Sequence, residues 1–177
     1  MAYEQEKINV KEKPKKVNKG RKKEKLPAGK AIKIRLYPTQ DQRTKLNRWF
    51  GTARWTYNKC LDGIQKGIKL NKKELRANFI NNENFKENKW VLETPYDIQD
   101  EAMNDLIKSY KTNYAKNKHK FKVKFKSKKQ TNDSIAILSK HWKKSGLFFP
   151  TFFGNDPIKG SELLPDKLEY DSRLQRT

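Results

Sequence analysis

Hydrophobic and polar residues alternate between residues 30 and 38, where Ile32, Ile34 and Leu36 are separated by charged residues. A period of two is typical of a strand that buries one face. Pro38 would end such a strand, since proline cannot donate a hydrogen bond to a sheet. We therefore predict a first strand over residues 30–38.

The hydrophobic spacing changes to three and four residues after Pro38, which predicts a long amphipathic helix. Thr39 stands at its N-cap position, and Gln42 follows at the spacing of a capping box. The helix is expected to end near Gly63 or Gly67. Its predicted apolar face consists of Leu46, Trp49, Phe50, Ala53, Tyr57, Cys60, Leu61 and Ile64.

Two further helices are indicated before the chain becomes lysine-rich. A short helix fits residues 72–80, with Asn71 as its cap and with Leu75 and Phe79 buried. A third helix opens at Thr94-Pro95, because proline suits the first helical position. Its predicted apolar face consists of Ile98, Ala102, Leu106, Tyr110 and Tyr114.

Period-two spacing returns after the third helix, where Phe121, Val123 and Phe125 alternate with lysines. This pattern predicts a basic strand. Strand-like sequence on both sides of the helices indicates an α+β fold, a small wedge-like β-barrel or sheet with a helical bundle inserted after its first strand. Further short strands are predicted at 135–138, 147–149, 151–153 and 167–170.

The order of these elements predicts how the chain is organised into segments. The first residues contain few large apolar groups and many charges, which is typical of a disordered arm. The predicted segments are a basic disordered tail at 1–29, the first barrel strand at 30–38, a helical recognition bundle at 39–118 and the remaining barrel strands at 119–177.

The charge of the chain points to a polyanionic partner. Lysine and arginine number 42 against 20 aspartates and glutamates, which gives a formal charge of +22. Self-repulsion of this size opposes a compact state unless a polyanion neutralises it. No predicted helix combines a wide apolar face with a lysine-only polar face, as helices at membrane surfaces do. Nucleic acid is therefore the predicted partner, and a membrane is not expected.

The sequence constrains the location of the protein and its metal binding more weakly than it constrains the kind of partner. The sequence contains neither an apolar run of membrane-spanning length nor a signal peptide, which predicts an intracellular protein. Basic clusters at 13–16 and 21–23 could direct nuclear import or add phosphate affinity. The tail could equally be a disordered, solvated arm without a targeting function. Cys60 is the only cysteine, which excludes a zinc ribbon, and it is predicted to fill the core.

The polar face of the first predicted helix offers groups that suit nucleic acid. Arginine forms a planar fork toward phosphate or guanine, asparagine can bind an adenine edge, and tryptophan can stack on a base. Trp55 could instead be a partly buried aromatic residue that packs against the predicted strand layer. Gly51 costs about 1 kcal/mol in mid-helix, which suggests close approach of another backbone, either of protein or of nucleic acid, although tight helix packing alone would explain it. That polar face comprises Arg43, Asn47, Arg54, Trp55 and Asn58.

The predicted nucleic-acid-binding residues come from both the strands and this helix. Lysines and arginines are expected to contact phosphates, whereas Trp55 or Tyr57 would stack on a base. The full predicted set is Lys33, Arg35, Tyr37, Arg54, Trp55, Tyr57, Asn58, Lys122, Lys124 and Lys126.

No catalytic or metal site is predicted, and no cofactor is expected. The acids on the third helix are expected to balance the helix dipole and neighbouring lysines. Asp156-Pro157 follows Gly154-Asn155 in a turn-like stretch, unlike an acid at the end of a catalytic strand. His119 and His141 lie among lysines without a second ligand, so they are expected to face solvent or phosphate. The acids of the helix are Asp97, Asp100, Glu101 and Asp105.

Two ordered blocks give the sequence a resemblance to a known family. The first is Arg-Leu-Tyr-Pro at 35–38 followed by Phe-Gly-x-x-Arg-x-x-Tyr-Asn at 50–58, and the second is Thr-Pro-Tyr-Asp-Ile-Gln-Asp-Glu-Ala at 94–102 with its continuation to Lys111. The basic run at 121–128 follows in the same order. The chain resembles, over about 30–177, the N-terminal half of OrfB or TnpB-type proteins of insertion sequences, whose eukaryotic and viral relatives are called Fanzor.

The resemblance implies a function in nucleic-acid recognition. Complete relatives are RNA-guided DNA endonucleases, in which a wedge-like barrel and a helical bundle hold guide RNA and target. Their C-terminal half is a RuvC-like nuclease with three acidic metal ligands and a zinc ribbon, and this chain is expected to stop before it. A nucleic-acid-binding module without catalysis is therefore predicted, with guide-like RNA or DNA and a separate nuclease half or full-length relative as candidate partners.

Two alternatives remain open at the level of sequence. The chain could take part in DNA nicking or rearrangement with a partner that supplies the nuclease half. It could also be a basic DNA-binding or structural protein, helix-turn-helix-like or not, without any role in transposition.

Overall fold

The computed structural model describes residues 32–81, 83, 85–117, 121–129 and 133–176. The chain divides into two units, Met1–Lys33 and Ile34–Thr177, and all elements below belong to the second. The predicted tail at 1–29, with both its basic clusters, lies outside the described residues.

Helix α1, Gln40–Gln65, confirms the predicted long helix and its capping box. The Gln42 N–H donates to the Thr39 hydroxyl at 3.3 Å, and the Thr39 N–H donates to the Gln42 side-chain oxygen at 3.1 Å. Gly67 follows the last turn with φ of +101°, a left-handed conformation that glycine adopts without steric cost. Gly67 rather than Gly63 therefore terminates the helix.

Helices α2, Lys72–Phe79, and α3, Tyr96–Asn117, also confirm their predictions. The Asn71 side chain accepts a hydrogen bond from the Glu74 N–H at 2.8 Å and caps α2. Pro95 immediately precedes the first residue of α3. A short 3-10 helix over Lys89–Glu93, which was not predicted, lies between them.

The strands form two separate antiparallel pairs. β1 (Leu36–Tyr37) pairs with β3 (Lys159–Gly160), and β2 (Ser134–Ile137) pairs with β4 (Ser172–Gln175). The mixed α and β composition is confirmed, and a strand near 135–138 is confirmed with a shift of one residue. The described residues do not form a closed barrel, so the predicted barrel is not confirmed.

Several predicted strands are wrong. Phe149 has φ of +46°, which a strand does not allow, and Pro150 then opens the short helix α4, Pro150–Phe153. Proline at the first helical position favours this helix over the predicted strand at 151–153. Residues 167–170 are bends and coil, and the strand that pairs with β2 starts later, at Ser172.

Helices α1 and α3 pack against each other and connect two hydrophobic clusters. The aromatic cluster packs the first half of α1 against β2 and against the C-terminal segment, residues 142–164. The helical cluster packs the second half of α1 against α2 and α3. Cys60 is fully buried in the helical cluster, and this burial raises the pKa of its thiol to about 12. The aromatic rings of the first cluster are Trp49, Phe50, Trp142, Phe148, Phe149 and Phe153.

Gly51→Ala is expected to stabilise the protein by about 1 kcal/mol, because alanine is the better helix former. Apart from the backbone of α1, no atom of the described chain lies within 4 Å of the added Cβ, so close approach of a protein backbone at Gly51 is wrong, whereas close approach of nucleic acid stays a prediction. Urea unfolding followed by circular dichroism measures the gain. Gly63→Ala is the matched control, since its Cβ would lie 2.6 Å from Cε2 of Phe79. Equal effects of both substitutions would contradict the prediction.

Candidate nucleic-acid interface

The basic segment, Phe121–Lys129, lies against α1 without forming a helix or a strand, and one asparagine of α1 fixes it there. Asn58 Nδ2 donates to the Lys126 carbonyl at 3.0 Å, and the Lys126 N–H donates to Asn58 Oδ1 at 2.8 Å. In the described chain the segment has no strand partner, so the predicted basic strand is wrong. The Asn58 amide makes the two hydrogen bonds to Lys126 that a neighbouring strand would make in a sheet. The Nδ2 and Oδ1 of Asn58 are therefore both engaged within the chain.

The predicted alternation holds from Phe121 to Lys124 but fails after that, because Phe125 is 51% exposed whereas Lys126 is partly buried. Val123 is buried in the helical cluster, and the Phe121 ring packs against Tyr110 and Tyr114. Lys122 and Lys124, which stand between and after these residues, are exposed. Phe121 and Val123 therefore anchor the segment, while Lys122 and Lys124 remain in solvent.

Lys126 and Tyr57 occupy a different environment from those exposed lysines. The Lys126 ammonium lies 4.6 Å from the centroid of the Tyr57 ring. Burial lowers the pKa of Lys126, although Asp105 and Asp133 act in the opposite direction. Tyr57 itself is buried, and burial raises the pKa of its hydroxyl. The structure therefore places Tyr57 in the core, where its ring cannot be reached by a base.

Arg54 is committed to an internal ion pair. Its Nη1 donates to Asp133 Oδ2 at 2.8 Å, and the two side chains are only 17% and 5% exposed. Arg176 Nη2 lies 4.0 Å from the same carboxylate oxygen. Burial of the Asp133 carboxylate requires a cationic partner, so the geometry assigns Arg54 a structural contact in this chain.

The predicted binding residues near the start of the chain are Tyr37, which lies in β1, and Arg35 and Lys33, which precede it. Tyr37 belongs to β1, which pairs with β3 and not with the basic segment, and it is 54% exposed. The Arg35 carbonyl accepts a hydrogen bond from the Ser161 N–H at 2.7 Å, and the Arg35 side chain is exposed. Lys33 is exposed and falls in the other unit.

Trp55 is partly buried, as its packing alternative predicted, but it packs against the helical cluster, which contains no residue of β1 to β4, and part of it remains at the surface. Its ring centroid lies 5.5 Å from that of Trp90, in an edge-to-face arrangement of 73°. Lys59 Nζ lies 5.8 Å from the centroid of the Trp55 ring. Trp90 was not predicted from the sequence, where its only signal is that of a lone tryptophan in a polar stretch.

The acids of α3 hold the fold together by pairing with basic residues of other elements. Asp100 accepts two hydrogen bonds from Arg76 on α2, at 2.6 and 2.7 Å, and lies 3.0 Å from Lys72. Asp105 accepts from both terminal nitrogens of Arg173 on β4. Burial alone would raise the pKa of the Asp100 carboxyl, but the hydrogen bonds from Arg76 and Lys72 outweigh it and lower the pKa.

His141 differs from its prediction. Its Nε2 contacts Oδ2 of Asp97, and its ring packs on Phe149 at a centroid distance of 4.2 Å. Lys140 Nζ lies 3.1 Å from the same Asp97 oxygen. His141 therefore joins an ion-pair network and does not simply face solvent or phosphate. His119 lies outside the described residues.

The residues that the structure describes offer neither a group of metal ligands nor a helix that could span a membrane. Within these residues, no three or more histidine, cysteine, aspartate or glutamate side chains are grouped so that they could hold a metal ion. Asp156 lies in a bend, as predicted from the residues before it. Among the helices that the structure describes, none has the length and apolar character needed to cross a bilayer.

Residues 29–73 match a family described as a helix-turn-helix domain, HTH_OrfB_IS605. The match covers α1, the turn after it and the first residues of α2. It confirms the resemblance to the N-terminal region of OrfB or TnpB-type proteins and supports a DNA-binding, transposase-related module.

A viral protein is similar over a longer stretch. A protein of Paramecium bursaria Chlorella virus 1, named "Putative transposase", is 26% identical over 162 residues, which cover 81% of this chain. The same alignment covers 38% of the viral protein, so the chain corresponds to well under half of that relative.

Proposed function

We propose that the chain is a DNA-binding module of the transposase-related kind, and that the basic segment is the part that follows a nucleic-acid backbone. The observation that carries this proposal is the segment's fixation by Asn58, with Lys122 and Lys124 left in solvent. A segment fixed in this way loses little conformational entropy when it binds, because its backbone is already ordered.

The geometry of the segment suits a phosphate backbone. Side chains two residues apart on an extended chain are about 6.7 Å apart. Each strand of a duplex carries one phosphate per about 3.4 Å of helix axis, so a span of this length can reach neighbouring phosphates of one strand. Lys122 and Lys124 can therefore contact phosphates of the same strand, and the net charge of +22 attracts the polymer to the protein.

Lys122→Gln/Lys124→Gln is expected to reduce the slope of log affinity against log salt concentration by about 2, because each phosphate contact contributes about 0.9. Fluorescence anisotropy with a labelled duplex over a salt series measures this slope. Lys143→Gln/Lys144→Gln removes the same charge from exposed lysines on another segment and is the matched control. A slope that stays unchanged in the first variant, or falls equally in both, would contradict the proposal.

We also propose the finer function that the motif blocks imply, that of the recognition part of a TnpB or Fanzor-type RNA-guided system. Its partners would be guide-like RNA together with DNA, and a nuclease half carried on another polypeptide or on further sequence. The blocks at 35–58 and 94–111 support this proposal, as does the viral relative. Competition between structured RNA and random duplex of equal length tests it, since a protein with only general phosphate affinity would bind both alike.

Binding without cleavage is the third part of the proposal. Asp97, Asp100 and Asp105 are each paired with basic side chains, and a two-metal nuclease needs free carboxylates that converge on metal ions. The purified chain is therefore expected to leave DNA intact in the presence of Mg²⁺. Cleavage that copurifies with the chain and is abolished by Asp100→Asn would overturn this part.

A further inference from the structure

Two of the tryptophans meet at the surface and form an aromatic corner (Trp55 and Trp90). Trp55 lies on α1 and Trp90 in the 3-10 helix Lys89–Glu93, and their rings stand nearly perpendicular, at 73°. Trp90 is 40% exposed, and Trp55 is partly buried. Because Trp90 is 40% exposed, part of this residue remains in contact with solvent at the corner.

The hydrogen bonding of the indoles distinguishes the aromatic corner from the buried tryptophans. Trp49 Nε1 donates to the Glu93 carbonyl at 3.2 Å, and Trp142 Nε1 donates to the Pro165 carbonyl at 2.7 Å. In the part of the chain that the structure describes, the indole N–H groups of Trp55 and Trp90 have no acceptor. Tryptophan usually satisfies this donor when it packs inside a protein, so both donors of the corner remain available to a ligand.

The aromatic corner lies next to the basic segment. Thr52, Trp55 and Asn58 follow one another at steps of three residues, so neighbours in this series lie close together on the surface of α1, about 4.5 Å apart along its axis. Asn58 holds the backbone of Lys126, so the basic segment lies against α1 about one turn from Trp55. Lys59 Nζ, 5.8 Å from the centroid of the Trp55 ring, adds a positive charge at the corner.

We propose that the aromatic corner stacks an unpaired nucleobase of the strand whose phosphates lie on the basic segment, an inference that rests on the proposed function. Indole faces stack on any base, the free N–H groups can donate to a base or phosphate oxygen, and Lys59 can neutralise the adjacent phosphate. A base inside a duplex has both faces covered by its neighbours. The ligand class is therefore single-stranded DNA or RNA, or an unpaired base at a junction.

The proposal predicts that Trp90→Ala weakens binding of short single-stranded oligonucleotides by about tenfold, as loss of one stacked base does. The affinity for a duplex of the same sequence changes by less than about twofold. Trp90→Phe retains most of the affinity, because an aromatic face remains. Leu92→Ala is the matched control, since Leu92 is an exposed apolar residue, 51% accessible, in the same 3-10 helix.

Anisotropy titrations of the full chain with oligo-dT, oligo-U and the duplex give the comparison, and circular dichroism verifies that each variant is folded. A loss confined to one of the two single strands supports the proposal and identifies the bound polymer. Equal losses for duplex and single strands, or no loss at all, overturn it. Trp90→Ala removes no charge, so its salt slope stays that of the wild type, whereas failure of the proposed function appears as an unaltered slope in Lys122→Gln/Lys124→Gln.

Discussion

Arg54→Met is expected to destabilise the protein by about 3 kcal/mol, because it leaves the buried Asp133 carboxylate without its close partner. Asp133 is 5% exposed, and the next cation, Arg176, lies 4.0 Å away. For a folded unit of this size the loss corresponds to a fall in melting temperature of roughly 6–12 °C. Thermal and urea unfolding followed by circular dichroism measure it.

The double variant Arg54→Met/Asp133→Leu separates the ion pair from other effects of the substitution. Replacement of both charges by apolar side chains removes the unpaired carboxylate, so much of the lost stability is expected to return. The salt slope of duplex binding in Arg54→Met, measured where the variant is folded, is expected to equal that of the wild type. A reduced slope without a loss of stability would show that Arg54 contacts phosphate, as its place on the polar face of α1 first suggested.

Trp49→Ala is expected to destabilise the protein by about 4 kcal/mol, which is the usual cost of deleting a large ring from a packed core. Trp49 is 1% exposed, and its ring contacts Phe148, Phe149 and Phe153 at centroid distances of 6.2, 5.7 and 5.5 Å. These contacts join α1 to the C-terminal segment. We therefore expect the stability of both parts to fall together when the ring is removed. Urea unfolding monitored by circular dichroism gives the free energy.

Trp49→Phe is the matched control, because it keeps an aromatic ring but loses the hydrogen bond to the Glu93 carbonyl. Its expected cost is about 1–2 kcal/mol, from one hydrogen bond and a small cavity. A cost below about 1 kcal/mol for Trp49→Ala would mean that the C-terminal aromatic residues do not pack on α1.

The helices were predictable because their signals are local. The Thr39–Gln42 capping box, the Asn71 cap and proline before α3 each act within one turn of the helix that they delimit. The strands at 147–153 were mispredicted because aromatic content is a weak guide to strands where tertiary packing decides the backbone. Pro150, which favours the first position of a helix, was a local signal in the sequence, and the backbone follows this signal and not the aromatic content.

The candidate site was predictable only in part. The period of two along the basic segment correctly separated the exposed Lys122 and Lys124 from the buried Val123. The same pattern did not reveal that a side chain of α1, rather than a strand, would hold the segment. Arg54 and Asn58 stood on the polar face of a helix, where sequence alone cannot distinguish a residue that faces solvent from one that faces another segment.

The sequence by itself determined α1, α2 and α3 with their local start signals, the excess of positive charge and the alternation of residues 121–124, since each depends on neighbouring residues or on composition. The tertiary structure alone decided which polar and aromatic groups are available to a ligand. Arg54 pairs with Asp133, Asn58 with Lys126 and Trp55 with Trp90, all far apart in the chain. A side chain's partners come from whichever distant segments pack beside it, and no local pattern specifies them.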